Sequence, residues 1–182
     1  MGSVREGRFN DIPTAWIAAH LKKQTGVEVE VLDLKDYPMP FFYEPVSPSH
    51  REGEPSNPVA VAWAKKIAEA DGFVVVTPEY NHGYPAVLKN AIDWLGKEWK
   101  NKVMGFVAYG GAGGARSVEQ LRMVAIELQV VPMRNAIHLF GSVMAAAAKD
   151  PAALNESDKA AQTFIEQLVT LTRALKTVRS NN

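Results

Sequence analysis

Two stretches in the middle of the chain are almost continuously apolar, residues 72–77 and residues 102–109. Runs of this length are typical of parallel strands that helices cover on both faces. Residues 27–31 show a different pattern, because valines alternate there with glutamates. Such alternation predicts a strand with one buried and one exposed face, as at the edge of a sheet. A shorter apolar segment at residues 135–140 predicts a further strand.

Segments with helical periodicity separate these strands. Asn10 or Asp11 is expected to cap a first helix that ends at Gly26. Residues 36–58 contain six prolines and are predicted to form a long irregular loop. The repeated order of strand and helix predicts an α/β protein with a parallel sheet between two layers of helices. The later helices are predicted at residues 59–70, 84–96 and 117–130, and from Asn155 or Ser157 onward.

The predicted sheet lacks one strand. A doubly wound sheet normally begins with a buried strand that leads into the first helix, and here only Met1 precedes the turn at Gly2 and Ser3. Several large apolar side chains on a buried strand contribute roughly 5–15 kcal/mol, about the stability of a whole domain. Either the sequence is a truncated form of a longer chain, or the segments at 27–31 and 72–77 pair directly and anchor the turn loosely.

Composition and charge narrow the classes of protein that remain. The 182 residues predict a single domain, residues 1–182, of ordinary globular composition. Twenty basic and twenty acidic side chains balance, which argues against nucleic acid or a membrane as a partner. The absence of cysteine excludes thiol nucleophiles, disulfides and thiolate metal sites. The N-terminal residues form no signal segment, and we expect a soluble, cytoplasmic protein.

Three turns are expected to carry the chemistry, because ligands of open α/β sheets bind at the carboxyl ends of the strands. Residues 2–10 combine glycines, a serine and two arginines ahead of a helix, which suits a phosphate group, although a solvated basic tail is an alternative. Residues 77–85 offer a tyrosine and an asparagine beside which a flat heterocycle could bind; His82 is a weaker candidate. Residues 109–116 include four glycines that allow close approach to the backbone.

Other familiar motifs are missing from the sequence. The glycines do not fall at G-x-G-x-x-G offsets, no Walker lysine follows a glycine loop, and neither H-E-x-x-H nor G-x-S-x-G occurs. We therefore predict no catalytic acid or base and no metal ligand. The helix at 84–96 is apolar over more than one narrow stripe, which indicates burial on two sides, either against a second subunit or within its own domain.

Four segments resemble the NADPH-dependent FMN reductases, a flavodoxin-like family that includes quinone, chromate and azo-dye reductases. They are Gly2-Ser3-x-Arg5 with Asn10, and residues 78–81, 88–94 and 113–116. The resemblance implies a flavodoxin-like three-layer sandwich, FMN as cofactor, NADPH or NADH as co-substrate, and a homodimer or dimer of dimers. It further implies that Ser3, Arg5, Arg8, Phe9 and Asn10 hold the FMN phosphate, that Pro78, Glu79, Tyr80 and Asn81 lie along the flavin ring, and that Tyr109, Gly110 and Gly111 approach its other edge. Arg8 stands where many members carry a serine, and its longer, charged side chain can still bind phosphate.

The function that this resemblance implies is hydride transfer from NAD(P)H through bound FMN to a quinone or similar small acceptor. The cofactor supplies the chemistry, so the protein needs only to position it and bond to its edge. Two alternatives remain at this stage. One is a flavodoxin-like electron carrier without turnover of its own, which the neutral charge disfavours. The other is a non-enzymatic relic of the fold that does not bind FMN.

Overall fold

Two parallel strands form the centre of the sheet in the computed structural model, which describes residues 1–180. β1 (Gly72–Pro78) and β2 (Val103–Tyr109) pair along their whole length, so that Gly72 lies opposite Val103 and Pro78 opposite Tyr109. Every residue of β2 is buried. The two apolar runs of the sequence therefore predicted both central strands correctly.

Two shorter strands extend the sheet beyond β2. β3 (Val131–Pro132) pairs with the beginning of β2, and β4 (Ile137–Leu139) pairs with its end. All of these pairings are parallel. The sequence predicted β4, whereas β3 is only two residues long and too short for a periodic pattern. The parallel sheet with helices on both faces confirms the predicted flavodoxin-like α/β sandwich.

Helices cover the sheet on both sides. The helices α2 (Pro58–Glu69), α3 (Ala86–Asp93) and α4 (Ala115–Glu127) pack on one face, where Trp63, Ile92 and Leu121 are buried. The helices α1 (Asp11–Leu21), α5 (Gly141–Lys149) and α6 (Asp158–Ser180) lie on the other face. The sequence did not predict α5, because its run of alanines lacks a distinct apolar stripe. No helix within residues 1–180 combines the length and the apolarity needed to cross a membrane.

Residues 27–31 are not a strand, so that prediction is wrong. A strand requires a neighbour with which its backbone can bond, and this segment does not pair with β1. The first two residues of the chain lie between them instead: the Met1 nitrogen donates to the Leu32 carbonyl at 2.7 Å, and the Gly2 N–H donates to the Val76 carbonyl at 2.8 Å. No strand precedes α1 in the described part of the chain, and the two segments do not pair directly.

The proline-rich loop covers the outer side of α3. Asn90 of α3 accepts a hydrogen bond from the Phe42 N–H and donates to the Pro40 carbonyl, both at 2.9 Å. The Trp94 indole N–H donates to the same carbonyl at 2.9 Å. The second buried side of this helix therefore meets its own domain, which was one of the two interpretations of its broad apolar surface. One short 3₁₀ turn, Leu34–Asp36, leads into the loop.

Gly105 allows α6 to pack closely against β2, which gives a test of the packing. A Cβ atom at this position would lie 2.5 Å from the Cζ atom of Phe164. Phe164 is itself buried and cannot move aside. We expect Gly105→Ala to lower the free energy of unfolding by about 1–3 kcal/mol, measured by urea denaturation.

Gly141→Ala is the matched control for this substitution. Gly141 is the first residue of α5, and a Cβ there would meet nothing within 4 Å. This variant should unfold at the same denaturant concentration as the wild type or a higher one. Equal stability of the Gly105→Ala protein would contradict the packing described here.

Candidate functional site

Three turns meet at the carboxyl edge of the sheet. Because Pro78 and Tyr109 end their strands opposite each other, the turns that follow leave the sheet side by side, and the Glu79 N–H donates to the Tyr109 carbonyl at 2.9 Å. The N-terminal loop, residues 2–10, bonds to both turns. Ser3 Oγ shares a hydrogen bond of 2.9 Å with the Tyr80 hydroxyl, and the Tyr109 hydroxyl donates to Asn10 Oδ1 at 3.0 Å.

The N-terminal loop presents unused hydrogen-bond donors. The backbone N–H groups of Val4, Glu6 and Gly7 donate to no acceptor within residues 1–180. Asn10 occupies the cap position of α1 but makes no side-chain capping bond. Arg5 is exposed, and it forms no ion pair with any described residue. Free N–H groups at the start of a helix, with an arginine beside them, suit an anionic group such as a phosphate.

Arg8 has a different role in this structure from the one that the resemblance implied. Its guanidinium donates to the Ser3 carbonyl at 2.6 Å and twice to Asp11 Oδ1, from Nε at 3.0 Å and from Nη2 at 2.7 Å. It also donates one bond to each carboxylate oxygen of Asp33. The side chain is only 6% exposed. Since an arginine has five N–H donors and these bonds use all five, Arg8 stabilises the loop and offers no donor to a ligand in this conformation.

A tight turn follows β1 and borders the site. The N–H of Tyr80 donates to the Gly83 carbonyl at 2.8 Å, and the N–H of Gly83 donates back to the Tyr80 carbonyl at 3.0 Å. The two residues between them, Asn81 and His82, have φ angles of 49° and 69°. This combination defines a type I′ turn, in which both central residues are left-handed. A histidine in this conformation is strained, which is common beside functional sites.

The N-terminal part of α4 holds this loop in place. Ser117 Oγ lies 2.9 Å from the Pro78 carbonyl and 2.7 Å from the Gly83 carbonyl, within hydrogen-bond distance of both. Gln120 donates to the His82 carbonyl at 2.8 Å. The strained centre of the turn is thus bonded to α4 through His82, and the Ser117 hydroxyl can bond either to its end at Gly83 or to Pro78, which precedes it.

Glu79 joins the same helix to the end of β1. Its carboxylate accepts hydrogen bonds from the backbone N–H of Arg116 at 3.1 Å and from the Arg116 guanidinium. The side chain is only 7% exposed. The resemblance placed Glu79 along a flavin ring; in the structure its carboxylate turns away to α4, which leaves its backbone at the site.

The glycine-rich turn after β2 is open on one side and tightly packed on the other. A Cβ on Gly111 would meet nothing within 4 Å, whereas a Cβ on Gly114 would lie 2.5 Å from the Cβ of Ala108. The N–H groups of Gly111 and Ala112 donate to no acceptor among residues 1–180. A flat ligand can therefore approach this backbone and accept hydrogen bonds from it.

The donor set at this edge fits FMN. The N-terminal loop offers cationic and N–H donors for a phosphate, and the other two turns offer N–H groups and an aromatic surface for a planar ring. Arg8 and Phe9 are exceptions, since both turn inward; the ring of Phe9 packs edge-on against that of Tyr109, with centroids 5.1 Å apart. The structure brings together all three predicted turns, with Ser3, Arg5, Asn10, Pro78, Glu79, Tyr80, Asn81, Tyr109, Gly110 and Gly111.

Sequence reasoning missed the residues that support these turns. Asp33 neutralises Arg8 from 25 positions along the chain, and no local pattern marks that pair. Thr14 and Ser117 are also buried and hydrogen-bonded beneath the site. Of these supporting residues, Ser117 is the one that the sequence could have indicated. A hydroxyl in the first turn of a helix that follows a glycine loop commonly bonds to nearby backbone.

Comparison with known protein sequences gives a consistent result. The family model described as NADPH-dependent FMN reductase matches residues 1–144. The chain is 40% identical to an NAD(P)H-dependent FMN reductase of Schizosaccharomyces pombe over 154 residues, which cover 84% of this chain and 77% of the relative. It is 35% identical to a quinone reductase of Escherichia coli over 140 residues, covering 73% and 70% of the two chains.

Comparison with solved structures concerns the fold. The flavoenzyme FerB of Paracoccus denitrificans, an NAD(P)H:(acceptor) oxidoreductase, superposes with a TM-score of 0.72. The match covers 95% of this chain and 94% of FerB, at 22% sequence identity. This similarity confirms the flavodoxin-like arrangement of strands and helices.

The bond between Arg8 and Asp33 predicts a pH dependence of stability. The adjacent guanidinium lowers the pKa of Asp33 below its usual value. A lowered folded-state pKa means that ionised Asp33 stabilises the fold above the pKa of the unfolded chain, about 3.9, and that this contribution is lost as the pH falls through the folded-state pKa. We expect Asp33→Asn to be less stable than the wild type at pH 7 by about 1–2 kcal/mol, with the difference narrowing below pH of about 4.

Urea denaturation at a series of pH values would measure this difference. Asp36→Asn, an exposed neighbour outside the network, is the control and should show little difference at any pH. A difference between Asp33→Asn and wild type that stays constant from pH 7 to pH 3 would contradict the prediction.

Proposed function

Because the chain belongs to the NADPH-dependent FMN reductase family, we propose that it transfers hydride from NADPH or NADH through bound FMN to a quinone or another small acceptor. The protein is an oxidoreductase with FMN as its cofactor and NAD(P)H as its reductant. What we propose beyond this is the class of acceptor. The similarity to the quinone reductase of Escherichia coli supports a quinone. The proposal also includes a cytoplasmic location, where reduced nicotinamide nucleotides are available.

The site assignment rests on one observation: hydrogen bonds join the three turns to one another at the carboxyl edge of the sheet. We assign the phosphate to the N-terminal loop, where Ser3, Arg5 and the free N–H groups supply donors. The ring is assigned to the space between Tyr80 and Asn81, in the turn after β1, and Gly110 and Gly111, in the turn after β2. When held there, FMN would supply the hydride-accepting and hydride-donating chemistry. The chain's own groups orient the ring and bond to its edge, and no side-chain acid or base is part of the proposal.

A spectrum and a turnover assay together test this function. The purified protein, supplied with FMN, should show a bound-flavin absorption spectrum and should oxidise NADPH or NADH faster when a soluble quinone is added. Bound flavin without oxidation of either nucleotide would instead indicate an electron carrier. Failure to bind FMN, together with no thermal stabilisation by it, would contradict the proposal.

Arg5→Ala tests the assignment of the phosphate. Loss of one charge-assisted hydrogen bond of about 1.5–3 kcal/mol should raise the Kd for FMN roughly 10- to 150-fold, measured by quenching of flavin fluorescence. Arg134→Ala removes another exposed arginine, in the segment between β3 and β4, and is the control. Equal FMN affinity of Arg5→Ala and wild type would place the phosphate elsewhere.

The proposal includes a homodimer formed through the proline-rich loop. Phe41 and Tyr43 are 78% and 62% exposed, although hydrogen bonds to α3 hold the loop firmly. Ordered aromatic residues that are this exposed are typical of a protein interface. A second copy of the chain is the proposed partner, and two such dimers could associate further.

Substitution of both aromatic residues tests this interface. Phe41→Ser with Tyr43→Ser should convert a dimer to a folded monomer in sedimentation experiments, because the interface loses its apolar centre. Met123→Ser with Ile126→Ser on α4 is the control, since these residues are also exposed. A wild-type monomer, or dissociation by the α4 variant alone, would contradict this interface.

A further inference from the structure

The hydroxyl of Tyr109 lies beneath the site rather than in it. Tyr109 is the last residue of β2, and its side chain is buried between the sheet and the start of α1. Burial raises the pKa of its phenol, so the hydroxyl keeps its proton and donates it to Asn10 Oδ1 at 3.0 Å. The ring of Phe9 packs edge-on against Tyr109 and closes the other side.

Asn10 uses its side chain inside the protein. Its Oδ1 atom accepts from Tyr109, and its Nδ2 atom donates to Thr14 Oγ1 at 3.2 Å. Thr14 in turn donates to the Asn10 backbone carbonyl at 2.7 Å. All three residues are buried. The amide is thus held from both ends, and this chain of bonds determines where the N-terminal loop turns into α1.

The loop that precedes Asn10 carries the free donors. The N–H groups of Val4, Glu6 and Gly7 lie within six residues of Asn10, and their direction depends on where the loop ends. Preorganised donors bind an anion more tightly than donors that must be ordered on binding. A bond that fixes the end of the loop should therefore contribute to anion affinity without touching the anion.

Tyr80 provides the contrast. It also bonds to the N-terminal loop, through Ser3, but it is exposed at the rim of the site, where a ligand would enter. Tyr109 is instead only 5% exposed. A phosphate bound to the loop can compete with the Tyr80 hydroxyl for Ser3, whereas the bond between Tyr109 and Asn10 can persist.

We propose that Tyr109 is a positioning residue for the FMN phosphate, acting through Asn10 on the N-terminal loop. The inference rests on the proposed function. It changes the role implied by the resemblance, in which Tyr109 approached the edge of the ring. Since Gly110 and Gly111 follow directly, the same residue also links the phosphate loop to the turn assigned to the ring.

Comparison of FMN with riboflavin tests this role, because riboflavin has the same ring and no phosphate. Tyr109→Phe should raise the Kd for FMN about 5- to 10-fold, as expected for loss of one hydrogen bond to a buried group. Its Kd for riboflavin should stay within about twofold of the wild-type value. Titration of flavin fluorescence measures both, and the ratio of the two affinities is a readout that general loosening of the protein would not change.

Two further variants make the comparison decisive. Tyr37→Phe removes a phenol hydroxyl in the core on the other face of the sheet, where Tyr37 packs against Trp63 of α2, and should change neither affinity. Thr14→Val reaches the same chain of bonds from α1 and should also weaken FMN more than riboflavin. If Tyr109→Phe shows no cooperative thermal transition and is therefore not folded, the flavin affinities of Thr14→Val test the proposal in its place.

The possible outcomes separate this inference from the proposed function. Equal FMN affinity of wild type and Tyr109→Phe would overturn it, as would equal weakening of FMN and riboflavin, which would mean that Tyr109 supports the whole domain. Wild-type protein that binds neither flavin would instead contradict the proposed function itself. Selective loss of FMN affinity in both Tyr109→Phe and Thr14→Val would establish the role.

Discussion

The site depends on the pairing register of β1 and β2, which makes the two strands end side by side. Because Pro78 and Tyr109 are partners in the register, both strands end at the same level and both turns start there. A shift of one residue would reverse the side chains of one strand and separate the turns. The apolar core on both faces maintains this register, since every residue of β2 is buried. The arrangement of the turns at this edge therefore depends on the packing of the core around β2.

The N-terminal loop is held by side chains as well as by the sheet. One backbone bond joins Gly2 to β1, and the side chains of Arg8, Asn10 and Ser3 add further hydrogen bonds. Arg8 bonds to carboxylates on two separate segments, which places one charged group at the junction of α1 and the extended chain before Asp33. The loop thus depends on polar contacts that are individually modest and collectively specific.

The sequence predicted the apolar framework well, because the patterns that define it are local. Continuous apolar runs indicated β1 and β2, and helical periodicity indicated most of the helices. Both signals depend only on the spacing of apolar residues that are close together in the sequence. Alternation at residues 27–31 was misleading, because a strand also needs a partner and none pairs with it here. The three turns were identified from residue type, but their supports were not. The bond between Tyr109 and Asn10 spans 99 residues, and such a distance leaves no signal in one sequence.

The attachment of the Tyr80–Gly83 turn to α4 has a consequence for how molecules are accommodated. Ser117 and Gln120 bond to the carbonyls of Gly83 and His82 and so fasten this turn to a helix that is itself packed on the sheet. The turn cannot swing outward unless the helix moves as well, so this wall of the site has a rigid outline. Adaptation of this wall to an entering molecule is then expected to come mainly from side-chain rotation of the exposed Tyr80 and His82.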